Sequence, residues 1–351
     1  MIKKDSEFWL RITVVVFLSA LVLIAPAILF PFGLSLILAL LLRPLAVSIQ
    51  MVIEKLGWKK FPFDLSIIFS FIIFLIVLSG VIIYIFVPFV DEFRQFVANV
   101  PVMVQDLQNT IPRLERFYSI DVMPPEIRRV AENFMAQIGN YTVRLAQFSL
   151  SAIFSFASTV IELIVVPFIT FYMIKKGHAF RDFFIRLFPQ RYHDHLENLF
   201  SEIHFVLSAY VRGQLMLSTL MAGIVFLGML FFDIPYPLVI GLLAGVVEMI
   251  PVMGPIIGAV PPVLLALVQS TGLAVQVIVF YIVVQQLDGH LIMPKLMGHV
   301  IQIHPVAIIA AVLLGGHMYG VIGMMIAVPI LSVLQILFKH MWFYDRYRSM
   351  Y

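Results

Sequence analysis

Glu248 is the residue whose position most clearly indicates chemistry, because it lies just before a proline-broken point in a long apolar stretch, 236–270. Pro251, Gly254 and Pro255 follow it. Each proline lacks an amide hydrogen, and therefore frees a carbonyl oxygen from the helix. In a bilayer such groups persist only when they are buried in protein or line a wet cavity. Freed carbonyls and a carboxylate are all acceptors, which predicts binding of a proton, a cation or a donor-bearing solute.

A structural role for Glu248 is the alternative: the carboxylate would fix the break by accepting hydrogen bonds from freed amides. Pro261 and Pro262 predict a second interruption of the same stretch, beyond Gly258.

Other ionisable or polar residues at membrane depth are also candidates, because burying them in lipid is costly. Asp288 and Gln285 close a shorter apolar segment and are expected to line the same site, although Asp288 could instead be a helix-end residue among the headgroups. Glu162 lies midway along the fourth span and needs a partner, for which Arg212 at the start of the fifth span is one candidate. His317 is a further candidate because it lies in a glycine-rich interruption.

That interruption belongs to a stretch, 304–338, which echoes the first one 68 residues later. Pro237 corresponds to Pro305, and each is followed 24 positions later by the proline of an Ala-Val-Pro triplet. Gly315, Gly316, Gly320 and Gly323 supply the flexible point in the second copy. We interpret the two stretches as related hairpins of short helices. Kinked spanning helices remain an alternative, since glycine and proline are common in membrane helices.

Composition is typical of a membrane protein. Apolar residues make up 62% of the 351 residues and charged residues 12%, too few charges to coat a soluble surface of this size. A net charge of +3 does not indicate nucleic-acid binding, and the absence of cysteine excludes thiolate chemistry. Zinc-helix, phosphate-loop and nucleophile-elbow motifs are missing. We therefore expect neither an enzyme nor a metal site or cofactor.

The predicted fold is an all-α integral membrane protein with about eight helical segments and two Pro/Gly-broken stretches in its C-terminal half. The predicted organisation is a three-span region at 1–90, an extracytoplasmic helical segment at 91–148, and a transport core at 149–351 that contains a cytoplasmic amphipathic stretch at 178–207. Pro26, Pro31 and Gly33 predict a tight turn between the first two spans. Prolines 101, 112, 124 and 125 predict short helices within the extracytoplasmic segment.

Basic residues in short loops predict the orientation, because they favour the cytoplasmic side. Lysines cluster before the first span, after the second and after the fourth, whereas 91–144 contains none. We therefore expect a multi-pass protein of the bacterial cytoplasmic membrane with both termini inside.

Several motifs are similar to those of the autoinducer-2 exporter family of bacterial membrane proteins, mostly over 165–338. The matching segments are 167–172, 210–214, 248–255, 285–288, 294–298, 304–305 and 320–329. The resemblance implies a multi-span permease that forms a homo-oligomer in the lipid bilayer. Some members are linked to export of autoinducer-2 and others to sodium/proton exchange. Met253 replaces a common aromatic and Asp288-Gly289-His290 replaces a more usual acidic-Asn pair, so the substrate does not carry over.

Three functions follow as hypotheses. The first is a secondary transporter that moves a small polar solute, such as a signalling molecule, by alternating access. The second is a monovalent cation/proton antiporter that uses Glu248 and Asp288. The third is a non-transporting membrane scaffold, which has no need for carboxylates beside broken helices.

Overall fold

The computed structural model describes residues 26–58, 61–118, 165–297 and 303–342, and within these ranges the chain is helical with no strand. The helices are α1 (Pro26–Lys55), α2 (Phe63–Val81), α3 (Val87–Tyr118), α4 (165–186), α5 (His193–Phe231), α6 (Pro237–Val247), α7 (Gly254–Gln269), α8 (Thr271–Leu287), α9 (Met293–Met297) and α10 (Pro305–Trp342). The chain divides into two compact units, one with 1–75 and 153–188 and the other with 76–152 and 189–351.

By length and composition, five helical segments could cross a membrane: Pro31–Lys55, Phe63–Asn99, Gln190–Phe231, Thr271–Leu296 and Pro305–His340, the last of which is bent at Tyr319 and Gly320. Many of their large apolar side chains are exposed, as expected for surfaces that face lipid. The predicted all-α, multi-span membrane fold is confirmed.

In the first unit, polar contacts join helices whose surfaces are otherwise apolar. Ser35 of α1 donates to the carbonyl of Val166 at 3.2 Å, and the Thr170 hydroxyl donates to the Ser35 carbonyl at 3.2 Å. Lys175 of α4 pairs with Asp64 at the start of α2. Hydrogen bonds and small residues are the usual means of joining helices where lipid removes the hydrophobic driving force.

The predicted turn at Pro26–Gly33 is wrong, because helix α1 (Pro26–Lys55) continues through Pro31 and Gly33 without a break.

The predicted short helices after residue 91 are also wrong over the part the structure describes. Prolines 101 and 112 lie inside the continuous helix α3, which follows α2 through the π-helical residues Ile82–Phe86. Prolines 124 and 125 lie outside the described residues. The amphipathic pattern of α3 outweighs the local cost of each proline.

The second unit contains both broken stretches. The first stretch consists of α6 and α7, separated by a turn at 248–253. The two helices contain 11 and 16 residues, which correspond to about 16 and 24 Å, shorter than a bilayer core of about 30 Å. Pro255 lies in the first turn of α7, whereas Pro261 and Pro262 lie inside that helix. The interruption predicted at Pro261–Pro262 is therefore wrong.

The second broken stretch is α10, which is interrupted at Tyr319 and Gly320, where the backbone leaves helical geometry. Gly320 has φ of +59°, a left-handed conformation that glycine adopts without steric cost. A Cβ atom at Gly323 would collide with the carbonyl of Gly315, and one at Gly315 would collide with the carbonyl of Gly323. The two parts of α10 therefore fold back on each other, as the interpretation of this stretch as a hairpin predicts.

Apolar clusters pack the two broken stretches and the long helix α5 together. Val247 and Ile250 beside the first break contact Val312 and Ala327 of α10. A second cluster joins helices α5, α8 and α10 through residues Tyr210, Leu217, Met221, Val284 and Val328. At the beginning of α5, Glu202 accepts hydrogen bonds from Lys339 at 3.0 Å and His340 at 2.8 Å, near the end of α10.

Candidate functional site

Glu248 lies at the C-terminal end of α6, where the helix gives way to the turn 248–253, and its side chain is buried. The turn contains Val252 at φ of +69°, an unusual conformation for a β-branched residue. Such strained positions often cluster at functional sites.

The amides around this turn bond to backbone carbonyls. Those of Glu248, Met249, Ile250, Met253 and Gly254 donate to the carbonyls of Ala244, Val246, Val247, Pro251 and Ile250, respectively. The structural alternative for Glu248 needs freed amides that the carboxylate could bind. Because these five amides already have acceptors, few amides of the turn are left for the carboxylate to bind.

Gly254 permits the close approach that the turn requires. A Cβ atom at this position would collide with the carbonyl of Val247 and lie 3.0 Å from the Cα of Glu248. Further along, a Cβ at Gly258 would lie 3.6 Å from the Cα of Ala244, so α7 runs back along α6. The hairpin predicted for this stretch is therefore present, with its bend beside Glu248.

Gln214 of α5 also holds this turn in place. Its Nε2 donates a hydrogen bond to the backbone carbonyl of Glu248 at 2.9 Å, and the Gln214 side chain is buried. Sequence reasoning did not include Gln214 in the site. The available signal was a glutamine within a spanning helix, in the 210–214 motif that we used only for the family resemblance.

Asp288 lies at the end of α8 and is buried, with only 4% of its surface exposed. Gln214 and Tyr210, about one turn apart on α5, contact the turn at Glu248 and the residues on either side of Asp288, respectively, so both acids lie beside the same part of α5. Asp288 Oδ1 has no hydrogen-bond partner among the described residues, and no ion pair found among them includes either carboxylate. The structure therefore brings together two buried acids from separate helices.

Tyr281 contributes to the same region, about one turn before Gln285 on α8. Its hydroxyl donates to the carbonyl of Gly258 at 3.2 Å. This tyrosine links α8 to the second arm of the hairpin, and sequence reasoning did not include it.

Several of the other predicted site residues are not buried together with Glu248 and Asp288. Gln285 and His317 are exposed, so neither shares the burial of the two acids. Arg212 donates from its Nε to the carbonyl of Ser208 on its own helix at 3.0 Å. Its predicted partner, Glu162, lies outside the described residues. Gly320 and Gly323 shape the bend of α10, whose helices pack against the end of α6.

The family model described as "AI-2E family transporter" matches residues 12–342, nearly the whole chain. The chain belongs to the AI-2E transporter family. It is 27% identical to YueF of Bacillus subtilis (strain 168), provisionally named a transport protein, over 96% of this chain and 94% of that relative. It is 26% identical to YrrI of the same organism, over 91% of this chain and 88% of that relative. YrrI is also provisionally named a transport protein.

A further relative is PerM of Escherichia coli (strain K12), provisionally named a permease, at 23% identity over 70% of both chains. The family resemblance inferred from the motifs is confirmed, and it extends well beyond 165–338. Membership of this family indicates a permease or transport protein.

Proposed function

We propose that this protein is a secondary transporter of the bacterial cytoplasmic membrane that moves a small polar solute by alternating access. The observation that carries the proposal is the pair of buried carboxylates, Glu248 and Asp288, beside a helix break whose amides mostly have backbone acceptors. Two neighbouring acids are costly to bury unless something neutralises them in use. Glu248 is the central polar group of the proposed translocation site.

A monovalent cation/proton antiporter is the second candidate, and the orphaned Oδ1 of Asp288 favours it. A carboxylate oxygen without a protein donor is an acceptor for a cation or a proton. In this alternative the two acids bind a cation and a proton in turn. In the leading proposal they accept hydrogen bonds from donor groups of the solute.

Flux in proteoliposomes tests both proposals. Acid-loaded vesicles with a trapped pH dye would receive Na⁺, Li⁺ or K⁺, and a parallel set would receive radiolabelled furanosyl solutes under counterflow. An antiporter would dissipate the pH gradient on addition of a monovalent cation. A solute transporter would leave that gradient unchanged and accumulate one of the labelled solutes.

Glu248→Gln is the decisive variant, since it preserves size and some hydrogen bonding while removing the charge. We expect a folded, membrane-inserted protein whose transport is lost or no longer depends on pH. Glu54→Gln is the matched control, because Glu54 is an exposed acid near the end of α1. Among the described residues, its carboxylate accepts one hydrogen bond, from Gln50 Nε2 at 3.0 Å. Glu248→Gln that transports at the parental rate with the parental pH dependence would assign Glu248 a structural role instead.

A further inference from the structure

The long helix α5 has a buried polar face of its own, in addition to the two buried acids, Glu248 and Asp288, on other segments. Tyr210, Gln214 and Ser218 follow one another at four-residue spacing, so they lie on the same side of the helix. The exposed fractions of their residues are 5%, 7% and 9%. At 1.5 Å per residue the face extends for about 12 Å along the helix.

Two members of this face have hydroxyls with no hydrogen-bond partner among the described residues. Tyr210 Oη and Ser218 Oγ make no hydrogen bond within the part of the chain that the structure describes. A buried hydroxyl without a partner costs about 1–3 kcal/mol, so such groups usually bind ordered water or a ligand. A purely packing role would be served better by Phe and Ala.

The same face lies beside the segments that carry both acids of the proposed site. Gln214, between the two hydroxyls, donates to the carbonyl of Glu248. Tyr210 packs in a cluster with Val284 and Ile292, which lie four residues before and after Asp288. The Tyr210 hydroxyl and the orphaned Asp288 Oδ1 therefore belong to one region where α5 meets α8.

At its other end the face lies against α6. A Cβ atom on Gly245 would lie 2.8 Å from the carbonyl of Ser218, so the two helices are in close contact there. Beyond Ser218 the buried face of α5 becomes apolar at Met221, Val225 and Met229. The polar face is thus confined to the two turns beside the acids.

We propose that the Tyr210–Ser218 face of α5 lines a water-filled section of the transport path, and that the Tyr210 and Ser218 hydroxyls bind that water. Each hydroxyl can both donate and accept, so water molecules on this face connect Asp288 to the turn at Glu248. This inference rests on the proposed function, because it describes the path to the same pair of acids.

Cysteine labelling tests for water without requiring any transported solute. The chain has no native cysteine, so Ser218→Cys in proteoliposomes gives a single reactive site. We expect a small charged methanethiosulfonate reagent to modify it. Val225→Cys is the matched control, because Val225 lies two turns further on nearly the same side of α5 and is 1% exposed. We expect no reaction there. An unreactive Ser218→Cys, or equal labelling of both variants, would overturn the proposal.

Tyr210→Phe and Ser218→Ala give a second measurement that separates a functional role from packing. If the hydroxyls are only packed, their removal leaves transport unchanged and leaves Tm unchanged or higher. If they bind the water of the path, we expect about a ten-fold loss of transport with no loss of Tm. Ser332→Ala is the control, since this buried hydroxyl donates to the Val328 carbonyl at 2.8 Å.

The two proposals fail in different ways. Labelling of Ser218→Cys in a protein that moves none of the offered solutes or cations would support the water-filled section and count against the proposed transport. Transport with an unreactive Ser218→Cys, and with parental rates in Tyr210→Phe and Ser218→Ala, would overturn only the water-filled section.

Discussion

Gln214 Nε2 donates a hydrogen bond to the backbone carbonyl of Glu248 across 2.9 Å, joining the middle of α5 to the turn that ends α6. The contact fixes the backbone that carries the candidate acid, without engaging its carboxylate. Both residues are buried. The geometry of the turn should therefore depend on this glutamine.

We predict that Gln214→Leu destabilises the protein by about 1–3 kcal/mol, since it leaves a buried carbonyl without its donor. Thermal unfolding in detergent measures the loss. Gln286→Leu is the control, because Gln286 is exposed on α8 and should tolerate the same change. Equal melting temperatures for the two variants would show that the hydrogen bond contributes nothing to the turn.

The bend of α10 gives a second prediction, which concerns Gly323. Adding a methyl group here drives a Cβ atom into the carbonyl of Gly315 and close to Tyr319. Gly323→Ala should therefore cost about 1–3 kcal/mol through overpacking. Gly223→Ala should be neutral or stabilising, because a Cβ at Gly223, within α5, meets nothing within 4 Å and alanine favours a helix.

These two glycine variants are compared by measuring the yield of monodisperse protein and the Tm after purification. A Gly323→Ala variant as stable as the parent would mean that the two parts of α10 are not held in this close contact.

The two bends show how much of the candidate site the sequence could predict. Proline and glycine act locally, so the breaks near Gly254 and Gly320 could be located from spacing alone. The same local rule failed at Pro31, Pro101 and Pro112, which lie inside continuous helices. Whether a proline ends a helix depends on the packing around it, and that information is not local.

The partners of Glu248 show what the sequence could not supply. Asp288 can be identified as a candidate from the sequence, because an acidic residue next to a long uncharged segment is easily recognised. Tyr281, Tyr210 and Ser218 are not conspicuous, since tyrosine and serine occur on many membrane helices, and Gln214 gave only the weak signal of a glutamine within a spanning helix. Their importance depends on which side of a helix they occupy and on which helix lies opposite, and only tertiary packing determines both.

Orientation in the membrane gives a third prediction. The 91–144 segment lacks lysine, and we expect it to lie outside the cell, with 178–207 inside. A cysteine at Asn109 of α3 should react with an impermeant maleimide in intact cells. A cysteine at the exposed Glu197 of α5 should react only after the cytoplasmic membrane is permeabilised. The opposite pattern would reverse the predicted topology.

The start of the first hairpin gives a fourth prediction, which concerns Glu92 of α3. Its Oε1 accepts hydrogen bonds from the amides of Leu238 at 2.9 Å and Val239 at 3.1 Å, the first turn of α6. A carboxylate here satisfies amides that have no partner within the helix, and it complements the positive end of the helix dipole. Glu92 therefore acts as a capping residue supplied by another helix.

We expect Glu92→Ala to cost about 0.5–2 kcal/mol, the range for loss of an N-terminal cap. Amide hydrogen exchange should accelerate at Leu238 and Val239 well before it changes in the rest of α6, because those two amides lose their acceptor. Asp91→Ala is the control, since Asp91 is the exposed neighbour on α3. Unchanged exchange at Leu238 and Val239 in Glu92→Ala would show that the carboxylate does not cap the hairpin in the membrane.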